Sequence, residues 1–408
     1  MGYFNLAFTV GAARQPTTLA PGLVVAAAAC ISAATLLWRH ARSHSTLLHA
    51  PSPNKTVVPT LSEPQLRSLP YPPDALPGGR DVDTPYGSIR VYEWGPEHGE
   101  RILFVHGIST PSVALGDLGH EMAGRGYRVM MFDLFGRGYS DAPCGLAYDT
   151  RLYVTQLLLV LASSASPWAA APGFHLVGYS MGGALSVAFA RYFPHLVRSL
   201  CLIAPCGLIR RRHVGWRSWL YYDSGVLPEC LVTYLVRRRI RPRTGPARSV
   251  AEGGRIVNGD ADANGGAGFD GAAISKAKPE VTVSSVVAWQ VDHHEGFVMA
   301  FLSTIRNAPI YAPQEDWTAL SSILQARRPR GGAPTNDTGL GAGLKHGKIL
   351  IVLGKDDGVI VMAETVEDVN TVLGPDGAKC VVLEGGHELP ITSSVDVAES
   401  IEAFLQEL

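Results

Sequence analysis

Charge is sparse in this chain. Asp, Glu, Lys and Arg make up 17% of its 408 residues, and the formal net charge is −1. That balance leaves no electrostatic footprint for nucleic acid, and aromatic residues are not interleaved with basic ones. The one Arg-rich run, Arg237-Arg238-Arg239-Ile240-Arg241-Pro242-Arg243, reads as a solvated helix end, with lipid headgroups or an acidic partner as the other occupants. Cysteine supplies no framework either. The six, at 30, 144, 201, 206, 230 and 380, form no C-x-x-C pair. Reduced, buried thiols are expected, which favours a cytosol-facing domain. Two sequons, Asn54-Lys55-Thr56 and Asn336-Asp337-Thr338, point the other way, but such triplets arise often by chance. Metal-ligand spacing is missing too. There is no H-E-x-x-H, and in His293-His294-Glu295 neighbouring side chains on a helix point about 100° apart. Those three read as surface, and neither a metal nor a cofactor is expected.

Apolar residues are plentiful at 46%, enough for a large core with an insertion or for two domains. One uncharged run, Leu19 to Trp38, is about one bilayer long at about 1.5 Å per residue. A signal peptide would have a shorter apolar core and a basic start, whereas this run closes on Trp38-Arg39-His40, an interfacial signature. An uncleaved single-pass anchor is expected at 19–38, within an N-terminal segment 1–42. Arg39, Arg42 and Lys55 follow it and Arg14 precedes it, so the positive-inside rule puts the part of the chain after it in the cytoplasm. Residues 43–85, rich in Pro and Ser, read as a linker.

From residue 86 onward, buried apolar runs alternate with helical patterns. Tyr86 to Trp94 alternates like an antiparallel edge strand, and Arg101 to His106, Tyr127 to Asp133 and Val197 to Ala204 read as buried strands. The alternation resumes at Lys348 to Leu353 and at Cys380 to Leu383. This is an α/β pattern, a mostly parallel sheet with helices on both faces, split into 86–205 and 348–408. Between the halves, 206–325 reads as an inserted helical lid. Within it, 244–277 is Gly- and Ala-rich and holds too few large apolar residues to fold alone. Residues 326–347 form a second low-complexity, flexible stretch.

The stretch Phe174 to Tyr192 carries the chemistry. It reads as strand, tight turn and helix around Gly178-Tyr179-Ser180-Met181-Gly182, a G-x-S-x-G turn. A serine hydroxyl is a weak nucleophile and needs a base, which in turn needs a carboxylate to orient it. His387, in Gly385-Gly386-His387 after the last strand, and Asp357, after the strand that ends at Leu353, supply the order Ser, Asp, His. Asp356 is the rival carboxylate. The backbone N–H groups of Met181 and of Ile108, which follows His106-Gly107, are the candidate oxyanion donors. Tyr179, Ser109, Trp219 and Phe297 are the candidate substrate contacts, the last two among lid aromatics that include Trp216, Tyr221, Tyr222 and Phe301. Asp133 and Arg137 read as structural, tying the Gly-rich turn Leu134–Asp141 to the serine elbow.

With these motifs in order, the chain from roughly Tyr86 to Leu408 resembles the α/β-hydrolase superfamily. The branch it is similar to has a helical cap and includes membrane-anchored, monoacylglycerol lipase-like hydrolases. The resemblance rests on His106-Gly107, on Asp133 to Ser140, on Gly178 to Gly183, on Gly354 to Asp357 and on Gly386-His387. It implies an α/β-hydrolase fold and a carboxylic-ester hydrolase, acting on a lipid-like monoester through an acyl-enzyme. The same triad would serve a thioester, an amide or a carbon–carbon bond. The turn Phe135 to Ser140 also resembles that of epoxide hydrolases, but those carry aspartate where this chain has Ser180. A catalytically silent binding fold is the reading from another class, and the intact Ser, His and Asp set stands against it.

Overall fold

The computed structural model describes residues 48–241, 266–311, 314–328 and 343–408. The expected anchor at 19–38 lies outside them. Among the described residues, no helix is long and apolar enough to cross a membrane.

The sheet is built from β1 Arg80–Thr84, β2 Gly87–Trp94, β3 Arg101–Val105, β4 Arg128–Phe132, β5 Phe174–Tyr179, β6 Val197–Ile203, β7 Ile349–Gly354 and β8 Ala378–Leu383. Their spatial order is β8-β7-β6-β5-β3-β4-β2-β1. Strands β3 to β8 run parallel, and β1 and β2 join antiparallel at one end. The edge strand expected at Tyr86–Trp94 is therefore the second strand, because Arg80–Thr84 pairs outside it. All six residues of β5 and all six of β7 are buried. Helices on both faces explain why those strands are buried at every position rather than at alternate ones.

The longer helices are α1 Gly116–Gly124, α2 Thr150–Ala162, α3 Met181–Tyr192, α4 Glu229–Ile240, α5 Val283–His293, α6 Phe297–Asn307, α7 Gln314–Arg327, α8 Met362–Leu373 and α9 Ser394–Gln406. Asp149 caps α2 by accepting from the N–H groups of Arg151 and Leu152. Helix α3 is buried from Met181 to Ala190, as expected of a helix apolar on all sides. In the parallel register Val105 lies opposite Gly178, Tyr179 opposite Ile203, Ile203 opposite Val352 and Gly354 opposite Leu383. The loops after β3, β5, β7 and β8 therefore open at one sheet edge, where α/β folds place their ligands.

Three expectations need correction. The linker expected over 43–85 is structured from residue 48 onward. Tyr71 and Leu76 are buried, and Pro53 and Pro64 occupy first helical turns, where a missing N–H costs nothing. The buried Asp141 carboxylate holds this segment, accepting from the N–H groups of Ser52 and Ser88 at 2.8 Å and from Lys55 Nζ at 2.6 Å. Of the Gly-rich stretch 244–277, the part from Gly266 on is ordered. It forms a helix at Gly266–Gly271, with Phe269 and Ile274 buried and Ala273 bridged to Thr282. Two anchors suffice because they dock on an existing surface. Finally, α7 packs against α3 and α8, with Arg191 on Asp316 at 2.5 Å and Trp317, Leu320 and Leu324 buried. It is a core helix rather than the last of the inserted ones. Of 326–347, residues 329–342 lie outside the described residues, but Leu344 is fully buried and donates its N–H to the Val197 carbonyl at 2.6 Å.

Candidate active site

Ser180 stands between β5 and α3 with φ 54° and ψ −120°, a backbone conformation rare for residues other than glycine. The turn closes because its neighbours lack side chains. A Cβ at Gly178 would lie 2.4 Å from the Gly182 carbonyl, and one at Gly182 would lie 2.1 Å from the Val105 carbonyl. The corner is held by Ser180 N–H on the Ile203 carbonyl at 3.0 Å and by Cys206 N–H on the Ser180 carbonyl at 2.9 Å. Strain at one residue is thus held in place by two strands and a helix.

The structure brings the three predicted side chains together. His387 Nε2 lies 3.0 Å from Ser180 Oγ, and His387 Nδ1 lies 2.8 Å from Asp357 Oδ2. The other carboxylate oxygen of Asp357 accepts from the N–H groups of Val359 and Ile360, both at 2.8 Å. Those two bonds fix the carboxylate, so the imidazole presents Nδ1–H to it and leaves Nε2 to accept from the serine. Asp356 is exposed. All three members of the set are buried, Ser180 with 5%, His387 with 6% and Asp357 with 8% exposure.

The loop after β3 lies beside the serine, since a Cβ at Gly107 would sit 3.4 Å from Ser180 Cβ. His106 is fully buried, and burial holds its imidazole down at about 3, so it stays neutral. Its Nε2 accepts from Leu134 N–H and its Nδ1 donates to the Gly107 carbonyl, both at 2.8 Å. In the trans peptide that follows, C=O and N–H point opposite ways. Fixing the Gly107 carbonyl therefore fixes the direction of Ile108 N–H. Met181 N–H heads α3, in the turn whose donors have no intrahelical acceptor.

The substrate contacts need more revision. Tyr179 donates its hydroxyl to the His387 carbonyl at 2.6 Å, so it holds the histidine loop from beneath. Phe297 is fully buried against Phe301, and Trp219 is 54% exposed on the outer side of the insertion. Ser109 is half-buried, and its carbonyl is taken by Gln290. Nearer the serine are two residues that the sequence did not single out. Phe269 places its ring 5.7 Å from that of His387, and Cys206 Sγ lies 3.7 Å from Ser180 Oγ. Burial pushes the Cys206 thiol up to about 12, so it remains a neutral thiol. Asp133 and Arg137 tie the Gly-rich turn to the β3 loop rather than to the elbow. Asp133 accepts from Ser112 and Tyr139 N–H at 2.9 Å, and Arg137 Nε donates to the Ile108 carbonyl at 3.0 Å. His294, expected at the surface, is buried and bonds the Ser140 carbonyl at 2.9 Å. No cluster that could hold a metal ion occurs among the described residues.

These buried imidazoles make the fold acid-sensitive. Burial lowers His106 to about 3, His294 to about 4, and His175 as well. An unfolded chain takes up such protons as pH falls through about 6.5, while the folded chain resists them. Their contribution is complete above that pH and is lost below it, at up to about 1.4 kcal/mol per pH unit for each group. Urea midpoints should fall steadily from about pH 7.5 to about pH 5, and His294→Gln, which keeps a donor and an acceptor, should flatten the slope. Equal midpoints across that range would contradict the assignment of neutral histidines.

Comparison with known proteins agrees with this architecture. Residues 96–245 match the family described as Serine aminopeptidase, S33. That span holds Ile108, Ser180 and Met181 but neither Asp357 nor His387. A serine hydrolase-like protein of Danio rerio is 30% identical over 129 residues, 31% of this chain and 38% of the relative. Lipase 1 of Psychrobacter immobilis is 33% identical over 122 residues, 30% of this chain and 37% of the relative. The chain thus matches well under half the length of these curated relatives. Among solved structures, a bacterial membrane phospholipase A superposes with a TM-score of 0.53 at 18% identity, covering 92% of this chain and 97% of the other, a likeness of fold alone. Sheet order, serine corner and matched segment agree on an α/β-hydrolase fold.

Proposed function

We propose that the chain is a serine hydrolase that cleaves a carboxylic ester, of a lipid-like monoester kind, through an acyl-enzyme. The observation that carries this reading is the continuous hydrogen-bonded line from Ser180 Oγ through the His387 ring to Asp357. Ser180 Oγ attacks the carbonyl carbon as His387 Nε2 takes its proton. Asp357 holds Nδ1–H and stabilises the imidazolium. The N–H groups of Ile108 and Met181 stabilise the negative oxygen. Collapse breaks the ester bond, and the alcohol leaves with the proton from His387. Water then attacks the acyl group, with His387 as its base, and Ser180 is restored. The similarity to Lipase 1 supports an ester as the bond, and the Phe269 ring beside His387 supports an apolar substrate group. The run 19–38 is proposed as a single-pass tether with the catalytic part in the cytoplasm.

A fluorophosphonate probe tests the core of this. The full chain should take up one label, mapped by mass spectrometry to Ser180, and the labelled protein should stay with membranes after an alkaline carbonate wash. A folded chain without label would sink the hydrolase reading. Labelled protein released by the wash would remove the tether alone.

A further inference from the structure

Beyond the Gly107 carbonyl, which His106 holds, the next two carbonyls of the oxyanion loop, those of Ile108 and Ser109, are held by groups that depend on the inserted helices. Gln290, on α5, is fully buried. Its Nε2 donates to the Ser109 carbonyl at 2.9 Å, and its Oε1 accepts from Gly138 N–H at 2.8 Å. The neighbouring Ile108 carbonyl accepts from Arg137 Nε at 3.0 Å. Arg137 is itself buried, and its Nη2 donates to Thr304 Oγ1 on α6 at 2.9 Å. Its Nη1 donates to the Phe135 carbonyl and to the Tyr153 hydroxyl, both at 3.0 Å. Thus α5 reaches the loop directly, and α6 reaches it through one guanidinium.

We propose that Gln290 is a positioning residue that sets the oxyanion loop, so that the Ile108 donor is in place only while the inserted helices are seated. This rests on the serine-hydrolase reading above. A half-buried carbonyl and a buried N–H that lose their shared partner must find another, and the loop is the part free to move. A donor displaced by about 1 Å costs on the order of 100-fold in rate without any change in the nucleophile. The insertion is then part of the catalytic geometry as well as a cover over it. Sequence offered no sign of this, because a single glutamine in an apolar helix pattern reads as a polar interruption.

The test uses the full chain with Gln290→Met, which keeps the volume and deletes both bonds. Turnover is normalised to sites titrated with the fluorophosphonate probe at saturation. Per-site kcat on an ester should fall about 100-fold while KM stays within about threefold. A trifluoromethyl ketone, which forms a tetrahedral oxyanion on serine, should lose affinity by the same factor as kcat/KM. A non-hydrolysable ether analogue should keep its Kd. A residue that only braces the fold would lower Tm and the number of titrated sites and leave per-site kcat unchanged, and that result overturns the proposal. Should Gln290→Met yield no titratable sites, Thr304→Val decides, with a fall of about tenfold expected and unchanged per-site kcat overturning it. A parent chain that neither takes label nor turns over ester sinks the hydrolase reading and this one together. An active parent with unimpaired variants sinks this one alone.

Discussion

Ser180→Ala should lower kcat by about 10⁵-fold on whichever ester in a panel of monoacylglycerols, short acyl esters and acyl thioesters the parent cleaves best. The substitution removes the attacking oxygen and nothing else of the machinery. His387 keeps its bond to Asp357, and the Met181 and Ile108 donors depend on backbone that the hydroxyl does not hold. Fold should survive, because the lost contacts are one neutral hydrogen bond of 3.0 Å, worth about 1 kcal/mol, and a weaker one to Cys206 Sγ at 3.7 Å. Alanine keeps the Cβ and so meets the same φ of 54° at no added cost. Unchanged near-UV circular dichroism with lost turnover is the expected pair of results. Equal rates from variant and parent would leave the hydrogen-bonded line without a chemical role.

What was legible in the sequence was what the backbone demands. Gly178 and Gly182 are visible because close chain crossings exclude any side chain, and such a demand leaves a pattern in five residues. His387 was findable because paired glycines after a strand mark a bare loop at the sheet edge. What stayed hidden was the direction of side chains at positions that the periodicity does not settle. Tyr179 adjoins the serine, yet its ring turns under the histidine loop, to that loop's carbonyl. Phe297 and Trp219 lie in two separate aromatic helical segments of the insertion, but one packs inward and the other faces solvent, and apolarity alone does not separate them. Composition misled in the other direction at Phe269 and Tyr71. Phe269 lies in a stretch too poor in large apolar residues to fold alone and Tyr71 in one read as a Pro- and Ser-rich linker, and each is buried by docking on a core made elsewhere. For Tyr71 that dock is polar: its hydroxyl bonds Tyr92 at 2.6 Å and Asp133 at 3.2 Å, and its carbonyl accepts from Tyr139.

The adjacent carboxylates Asp356 and Asp357 give the second large effect, and a contrast with its own control. Asp357→Asn should lower kcat by about 10⁴-fold, whereas Asp356→Asn should stay within about twofold. Asparagine at 357 still offers an oxygen to the N–H groups of Val359 and Ile360, which take both of the loop's strong bonds at 2.8 Å. Its amide NH₂ is then left facing His387 Nδ1 and favours the tautomer with the proton on Nε2. That tautomer has no lone pair for the Ser180 hydroxyl at 3.0 Å, so the base is lost while the geometry stands. Fluorophosphonate labelling should slow in step with turnover, since both need the same deprotonated serine. At 356 the side chain is exposed, and the residue's place is set by its backbone N–H on the Gly385 carbonyl, so removing the charge leaves the histidine untouched. A large loss at 356 with none at 357 would move the orienting role to the outer carboxylate. The 2.8 Å contact between Asp357 and His387 would then be structural, and the proton path proposed for acyl transfer would have to be redrawn.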